Sequence, residues 1–489
     1  MLKFLKRAVR AWPSFLSRQM LRAGAVSVLG GMLAAPAMAL DLVQAWQAAQ
    51  QHDFDFLAAQ EAHEAGTTQR DQAHALWHPT VQASGTAGRM TNDSQIQGAQ
   101  FAAPGFPVTN NAAFNTSINN GTLDRWALSA RQPLLSRDRL SQSRQLDDKA
   151  EIAELEWKMA RQDLMLRTAQ RYFDVALAQE SLRVARQQEQ SVEKALGEVQ
   201  ARYRLGDVPI TDTHEAQARV EAIRAQIAAA ETDLQIKQAA LSDATGLPLA
   251  SLEVLQPTRG DMPVPGGASL QQWLDDAAAG NPGLRMQMMK VDMAHEETAR
   301  YGVLGNSSLD LVGEVTRDHL SGSGDYGAAS NTLHTAVVGL QLTVPLYTGG
   351  ARSARQEEAR HLADKALNET DRARQQVALQ TRASWLGLTT GMRRLDALAA
   401  ALKASQARLL ATRLGQRVGD RSTLDLLNAE SDAAGARMAW LQARASLALT
   451  RLQLEALAGK LQESELQAVN ALLEMPKDEP AVPKSQHQP

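Results

Sequence analysis

From Ser136 to Arg204 the chain contains no proline and a single glycine, Gly197. Nothing in such a stretch breaks a helix. One helix running through it spans about 100 Å at 1.5 Å per residue, wider than a compact domain. The fold is therefore built on long helices and reads as a rod or a tube. Composition fits: 44% of the 489 residues are hydrophobic but only 4% aromatic. Ala and Leu supply the difference, and small side chains let helices approach closely. Two further runs carry the spacing of a coiled-coil seam. Leu388, Met392, Leu395, Leu398, Leu402, Ser405 and Leu409 form the first. Leu427, Ser431, Ala434, Met438, Leu441, Ala445, Ala448 and Leu452 form the second.

Between the helices the period changes to two. Trp126, Leu128 and Ala130 share one face of Thr122–Gln132, with Asp124, Arg125, Ser129 and Arg131 among its polar residues. Val338, Leu340, Leu342 and Val344 share a face of Leu333–Val344 opposite Thr335, Gln341 and Thr343. Thr80–Ala87 and Leu309–Thr316 alternate more weakly. The expectation is four strands of about ten residues, the length that crosses a bilayer when tilted. Gly88–Gly121 and Arg317–Thr332, rich in Asn, Ser and Gly, read as the loops between them. A membrane sheet cannot keep open edges, and four strands are too few to close a barrel. Several chains must then share one; three copies give twelve strands.

Residues 1–39 carry six bases and no acid, an apolar run Ala23–Ala35 and the small-x-small ending Ala37-Met38-Ala39. They read as a cleaved export signal. Without those six bases the net charge falls from −3 to −9, which argues against a nucleic-acid partner. No later stretch is long and apolar enough for a transmembrane helix. The absence of cysteine excludes disulfides, Cys-ligated zinc and a lipidated N-terminal Cys.

The rest is one unit written twice. Tyr203-Arg204-Leu205-Gly206-Asp207 through Thr211-Asp212 resembles Gln416-Arg417-Val418-Gly419-Asp420 through Leu424-Asp425 at an offset of 213. Gln132-Pro133-Leu134-Leu135 matches Val344-Pro345-Leu346-Tyr347 at 212, and Ala244-Thr245-Gly246 matches Leu457-Ala458-Gly459 at 213. Leu42…Phe56-Leu57 matches Leu270…Leu284-Arg285 at 228, because the first half holds a longer insert between Arg89 and Gly121. Each half, 40–246 and 268–474, reads helix, strand, strand, long helix, helix. The Pro-rich 247–267 reads as a linker and the tail 475–489 as disordered.

These features together resemble the TolC-like outer-membrane factor family over nearly the whole mature chain. The most specific residues are the corners Gln132-Pro133-Leu134-Leu135-Ser136 and Val344-Pro345-Leu346-Tyr347-Thr348-Gly349-Gly350, and the two Gly-Asp hairpin turns. The resemblance implies a mainly α fold with a small β part. It implies a homotrimer with a twelve-stranded outer-membrane barrel continuing into a periplasmic helical tunnel. The function it implies is the exit duct of a tripartite export system for drugs or secreted proteins. The implied partners are a periplasmic adaptor (membrane fusion protein), an inner-membrane ABC or proton-driven pump, and outer-membrane lipid. It implies no enzyme activity and no cofactor. The links that close the family's tunnel fall on Thr211 and Asp212 from one hairpin and Arg421 from the other. Gln416 stands where the family has a tyrosine. A lumen ring of carboxylates falls on Asp425, and a second acidic ring falls on Asn428.

Spacing alone reads Asp212 and Asp425 as helix-start caps. His52, His63 and His74 share a helix face, with His78 one turn beyond, and read as a solvated stripe. Gly349-Gly350 lacks the Lys-Ser/Thr of a phosphate loop and reads as a corner. Trp77, Trp126 and Tyr347 lie near strand ends, where aromatic belts form. The rival functions are a soluble periplasmic coiled-coil adaptor, which needs a lipoyl-like or barrel β domain, and an exported hydrolase, which needs a catalytic constellation. Neither feature is found in the sequence.

Overall fold

The computed structural model describes residues 40–248, 254–258, 269–302, 307–325 and 327–474. The export signal, most of the linker and the 475–489 tail lie outside them. The described chain is mostly helical with one sheet.

It opens with α1 (Leu42–His52) and α2 (Phe54–Ala75), followed by β1 (Thr80–Phe101) and β2 (Thr109–Ser136). Then come the long α3 (Arg137–Arg204) and the shorter α4 (Ile210–Thr245). The second half repeats that order: α5 (Leu270–Gly280), α6 (Pro282–Arg300), β3 (Ser308–Gly324), β4 (Gly327–Thr343), α7 (Ala351–Arg417) and α8 (Thr423–Leu457). A short α9 (Glu463–Asn470) follows.

The two opening helices start alike for a local reason. Asp41 before α1 and Ser269 before α5 each form a capping box, with Gln44 and Gln272 respectively. Asp53 both ends α1 and caps α2, as Asn281 ends α5 and caps α6. Each such cap supplies an acceptor for otherwise unpaired helix-start N–H groups.

At 68 residues, α3 runs as its sequence requires, starting on Ser136, whose hydroxyl accepts from the Arg139 N–H. The main core gathers Leu42, Trp46, Phe56, Leu164, Tyr172, Phe173, Trp273, Leu388, Leu452, Leu454 and Leu466. It lies midway along the long helices, where α1, α5 and α9 pack around them. On the first seam Leu388, Leu395 and Leu409 are buried; on the second Leu441, Ala445, Ala448 and Leu452 are, while Ser431 is exposed.

The described part of the inter-half segment is firmly held. Val254 is buried and pairs with Leu40, and Gln256 exchanges backbone hydrogen bonds of 2.9 Å with Glu474. The Tyr172 hydroxyl donates to the Leu40 carbonyl at 2.7 Å and accepts from the Leu255 N–H at 2.9 Å.

The sheet departs from expectation in length. Its four antiparallel strands lie in the order β1-β2-β3-β4, but they run 22, 28, 17 and 17 residues, not ten. Most of 88–121 and 317–332, read as loops, is paired strand. The tight turn of the second hairpin closes where Gly324 faces Gly327. Pairs such as Ser94 with Thr116 and Ser321 with Ser330 put polar residues opposite each other on both faces. Alternation of hydrophobicity vanishes there while the backbone ladder continues.

Candidate functional site

The sheet's cross-strand register sorts its side chains into two chemically opposite faces. Residues directly opposite in an antiparallel pair share a face. Trp126, Leu128 and Ala130 lie opposite Gly85, Ala83 and Val81 on one side. On the other side Leu128 and Ala130 face Val315 and Gly313. Gly313 and Leu311 face Val338 and Leu340. This face is a continuous apolar band, and it is bare: Val338 is 82% exposed, Leu342 69% and Trp126 68%. The opposite face is polar and carries ion pairs, Arg125 with Asp318 at 2.7 Å and Arg131 with Asp310 at 3.3 Å. The outer edges of β1 and β4 have no strand partner within the described chain.

Two corners join this sheet to the long helices. At the first, the strand expected to end at Gln132 runs on through Pro133. Pro133 lies opposite Asp310 inside β2, which continues to Ser136. The register slips between Pro133 and Leu135, and an irregularity is where a strand tolerates a residue without an N–H. The Gln132 amide donates to the Trp77 carbonyl at 2.8 Å, and Arg139 donates to that of Leu76 at 2.6 Å. The end of α2 is thereby stapled to the corner. At the second corner Pro345 follows β4, and Gly349 and Gly350 both adopt positive φ, 63° and 86°. Only glycine enters that region without strain, so the pair turns the chain into α7 with Gly350 as its cap. Leu346 and Tyr347 between them are each 88% exposed.

A charge placed among those apolar corner groups should be poorly tolerated. Pro345→Ala should leave the yield of assembled protein near wild type, whereas Pro345→Asp should lower it. Quantifying the protein in extracted outer membranes checks this; equal yields for the two variants would contradict it.

At the other end of the long helices the chain makes two hairpin turns of one design. Gly206 (φ 80°) donates to the Tyr203 carbonyl and Asp207 to that of Arg202. Gly419 (φ 81°) donates to the Gln416 carbonyl and Asp420 to that of Gly415. Both are the paired hydrogen bonds of a glycine-terminated helix.

The helices that follow start differently. In α8 Ser422 is the cap, and Asp425, three residues on, completes a capping box. The Asp425 carboxylate accepts from the Ser422 N–H at 3.0 Å and its hydroxyl at 2.9 Å. Those bonds, with Arg421 nearby, hold its pKa below the usual aspartate value. In α4 the cap position is Pro209, with no side-chain cap. Asp212 therefore is not a cap, and its carboxylate instead accepts from the Thr211 hydroxyl at 3.3 Å.

Thr211 and Asp212 thus sit together, while Arg421 folds back over Gly415 and, among the described residues, makes no hydrogen bond to either. Gln416 donates to the Thr423 hydroxyl at 3.4 Å. Sequence reasoning missed the contacts that do cross between the hairpins. The Thr423 hydroxyl donates to Glu198 at 3.3 Å, and Arg219 donates to the Asn428 side-chain oxygen at 2.8 Å. Of the histidines, His63 is no part of a solvated stripe: it pairs with Glu154 at 3.0 Å and stacks on Trp157. Among the described residues no group of three or more His, Asp or Glu is placed to hold a metal, and no helix is long and apolar enough to cross a membrane.

A family model described as outer membrane efflux protein matches residues 45–247 and 273–460. The chain belongs to the outer membrane efflux protein family. It is 28% identical over 446 residues to the alkaline protease secretion protein AprF of Pseudomonas aeruginosa, spanning 90% of this chain and 89% of AprF. It is 28% identical over 340 residues to the outer membrane protein TolC of Vibrio cholerae, spanning 68% of this chain and 75% of TolC. The CmeC outer membrane channel of Campylobacter jejuni shares the fold, with a TM-score of 0.68 at 17% identity over 89% of this chain and 90% of CmeC.

Family membership places this efflux protein in the Gram-negative outer membrane with its helices reaching into the periplasm, as an exit duct and not a soluble adaptor. The similar proteins are channels and secretion proteins, not enzymes.

Proposed function

We propose that three copies of this outer membrane efflux protein close a twelve-stranded barrel, continue it as a helical tunnel, and conduct cargo passively through a gate at the tunnel's inner end. The observation that carries the reading is the sheet: apolar and bare on one face, charged on the other, unpaired at both outer edges. A barrel needs lipid outside, water inside and no edges. Neighbouring copies meet all three demands. The repeated order of elements, and a family match in two blocks, support a duplicated unit over 40–246 and 268–474 joined by 247–267. Residues 1–39 serve as the export signal, and nothing in the chain's work calls for catalysis.

Energy comes from an inner-membrane ABC or proton-driven pump, passed on through a periplasmic adaptor. Similarity to AprF runs almost end to end through both chains, which favours a secreted protein as cargo over a small drug.

The gate is built from the hairpin turns. Arg421, exposed and unpaired with Thr211 or Asp212 of its own chain, reaches those groups on an adjacent copy. A guanidinium can serve both acceptors at once. Gln416 contributes a bond within its own hairpin, where the family's tyrosine would reach across. Asp425 supplies one carboxylate per chain to a ring facing the lumen, which concentrates negative potential there. Planar-bilayer recording tests the gate. Arg421→Ser should enlarge single-channel conductance without changing assembly. Multivalent cations on the periplasmic side should block the wild type, and Asp425→Ala should relieve the block. Asp425→Asn should relieve it too, since it keeps an acceptor for Ser422 and loses only the charge. Unchanged conductance in the first variant and intact block in the others would make these residues ordinary helix-end polar groups.

A further inference from the structure

We propose that Arg219 and Asn428 form a latch inside each chain that ties its two hairpins together and sets the resting bore of the tunnel. The proposal rests on the gated-tunnel reading above but uses none of the residues assigned to the gate there.

Arg219 projects from α4 and Asn428 from α8, near the hairpin turns. The guanidinium Nη2 donates to the Asn428 Oδ1 at 2.8 Å, and the bond is partly buried. Apart from this pair, α4 and α8 scarcely meet. The second hairpin otherwise leans on the first through α3. One charge-assisted bond therefore carries most of the direct connection between these helices, and such bonds are about twice as strong as neutral ones. A second strap lies nearer the turns, where Gln416 donates to Thr423 at 3.4 Å and Thr423 to Glu198 at 3.3 Å. It joins α7 and α8 to α3 and leaves α4 free, so it cannot replace the first.

The bond opens when the hairpins are pulled apart, as an engaged partner would pull them. Because Asn428 is neutral, Arg219 keeps its positive charge uncompensated by this partner. One turn beyond Asp425, each chain thus presents a cation where a second carboxylate would have strengthened the negative ring.

The test uses the full-length trimer in planar bilayers. Arg219→Ala and Asn428→Ala should each raise single-channel conductance, with trimer yield and melting temperature unchanged. The double variant should exceed neither single variant, because both remove the same bond. Arg219→Lys should restore part of the closure. Asn428→Asp should lower conductance below wild type by replacing a neutral acceptor with a charged one, and that decrease should vanish when Arg219 is Ala. Wild-type conductance in both alanine variants, or additive increases in the double, overturns the latch while leaving the channel reading in place. If the wild type itself forms no channel, the gated-tunnel reading fails and the latch with it.

Discussion

Replacing Glu180 with Ala should destabilise the protein by about 3–5 kcal/mol, the usual cost of removing one partner from a buried ion pair. Glu180 has no exposed surface. Arg183 donates to it at 2.7 and 2.8 Å, Gln256 at 2.9 Å and Arg437 at 2.6 Å. These donors come from α3, the inter-half segment and α8, so one carboxylate ties the two halves to the segment between them. Alanine would take the carboxylate away from two half-buried guanidinium groups, whose side chains are 29% and 22% exposed. Glu180→Gln keeps the shape but loses the charge and should fall between wild type and Glu180→Ala. Loss of helical circular dichroism on heating checks the order; a Glu180→Ala protein that melts with wild type would contradict it.

The same carboxylate fixes an acid dependence. Burial alone would raise its pKa, but the bonds from Arg183 and Gln256 and the charge of Arg437 outweigh it, and the pKa lies below the ordinary 4.5. A depressed folded-state pKa gives stability that is complete above the unfolded value and lost as pH falls through the folded one. The contribution of Glu180 is therefore intact at neutral pH and fades only below the ordinary glutamate range.

What the sequence made legible follows the periodicities. Helix α3 was bounded to within a residue because Ser136 caps it and Gly206 stops it. The apolar face of Trp126, Leu128, Val338 and Leu340 was legible because apolar and polar positions alternate there. Further out both faces are polar, so strand and loop look alike, and the ladder from Asn92 to Phe101 left no signal. Pro133 misled because a proline usually closes a strand, whereas a slipped register beside it lets the strand run on. Glu180 looked like any charge on a long helix. The latch was invisible for a different reason: Arg219 and Asn428 are 209 residues apart, and helical spacing says which residues share a face, not which faces meet.

The largest expected effect of all is the dependence of the sheet on other copies. Each unpaired backbone group in hydrocarbon costs several kcal/mol, and the four-stranded sheet presents two full edges of them. With about eight strands the fewest that close a membrane barrel, no single chain removes its own edges. A lone chain should therefore be unable to hold the sheet in a bilayer, and disrupting contact between copies should abolish insertion outright. The most direct test is the polypeptide mass of the detergent-solubilised particle, with bound detergent subtracted, by light scattering. A value three times that of the mature chain is the predicted result; a stable particle of one chain in the outer membrane would contradict the account at its root.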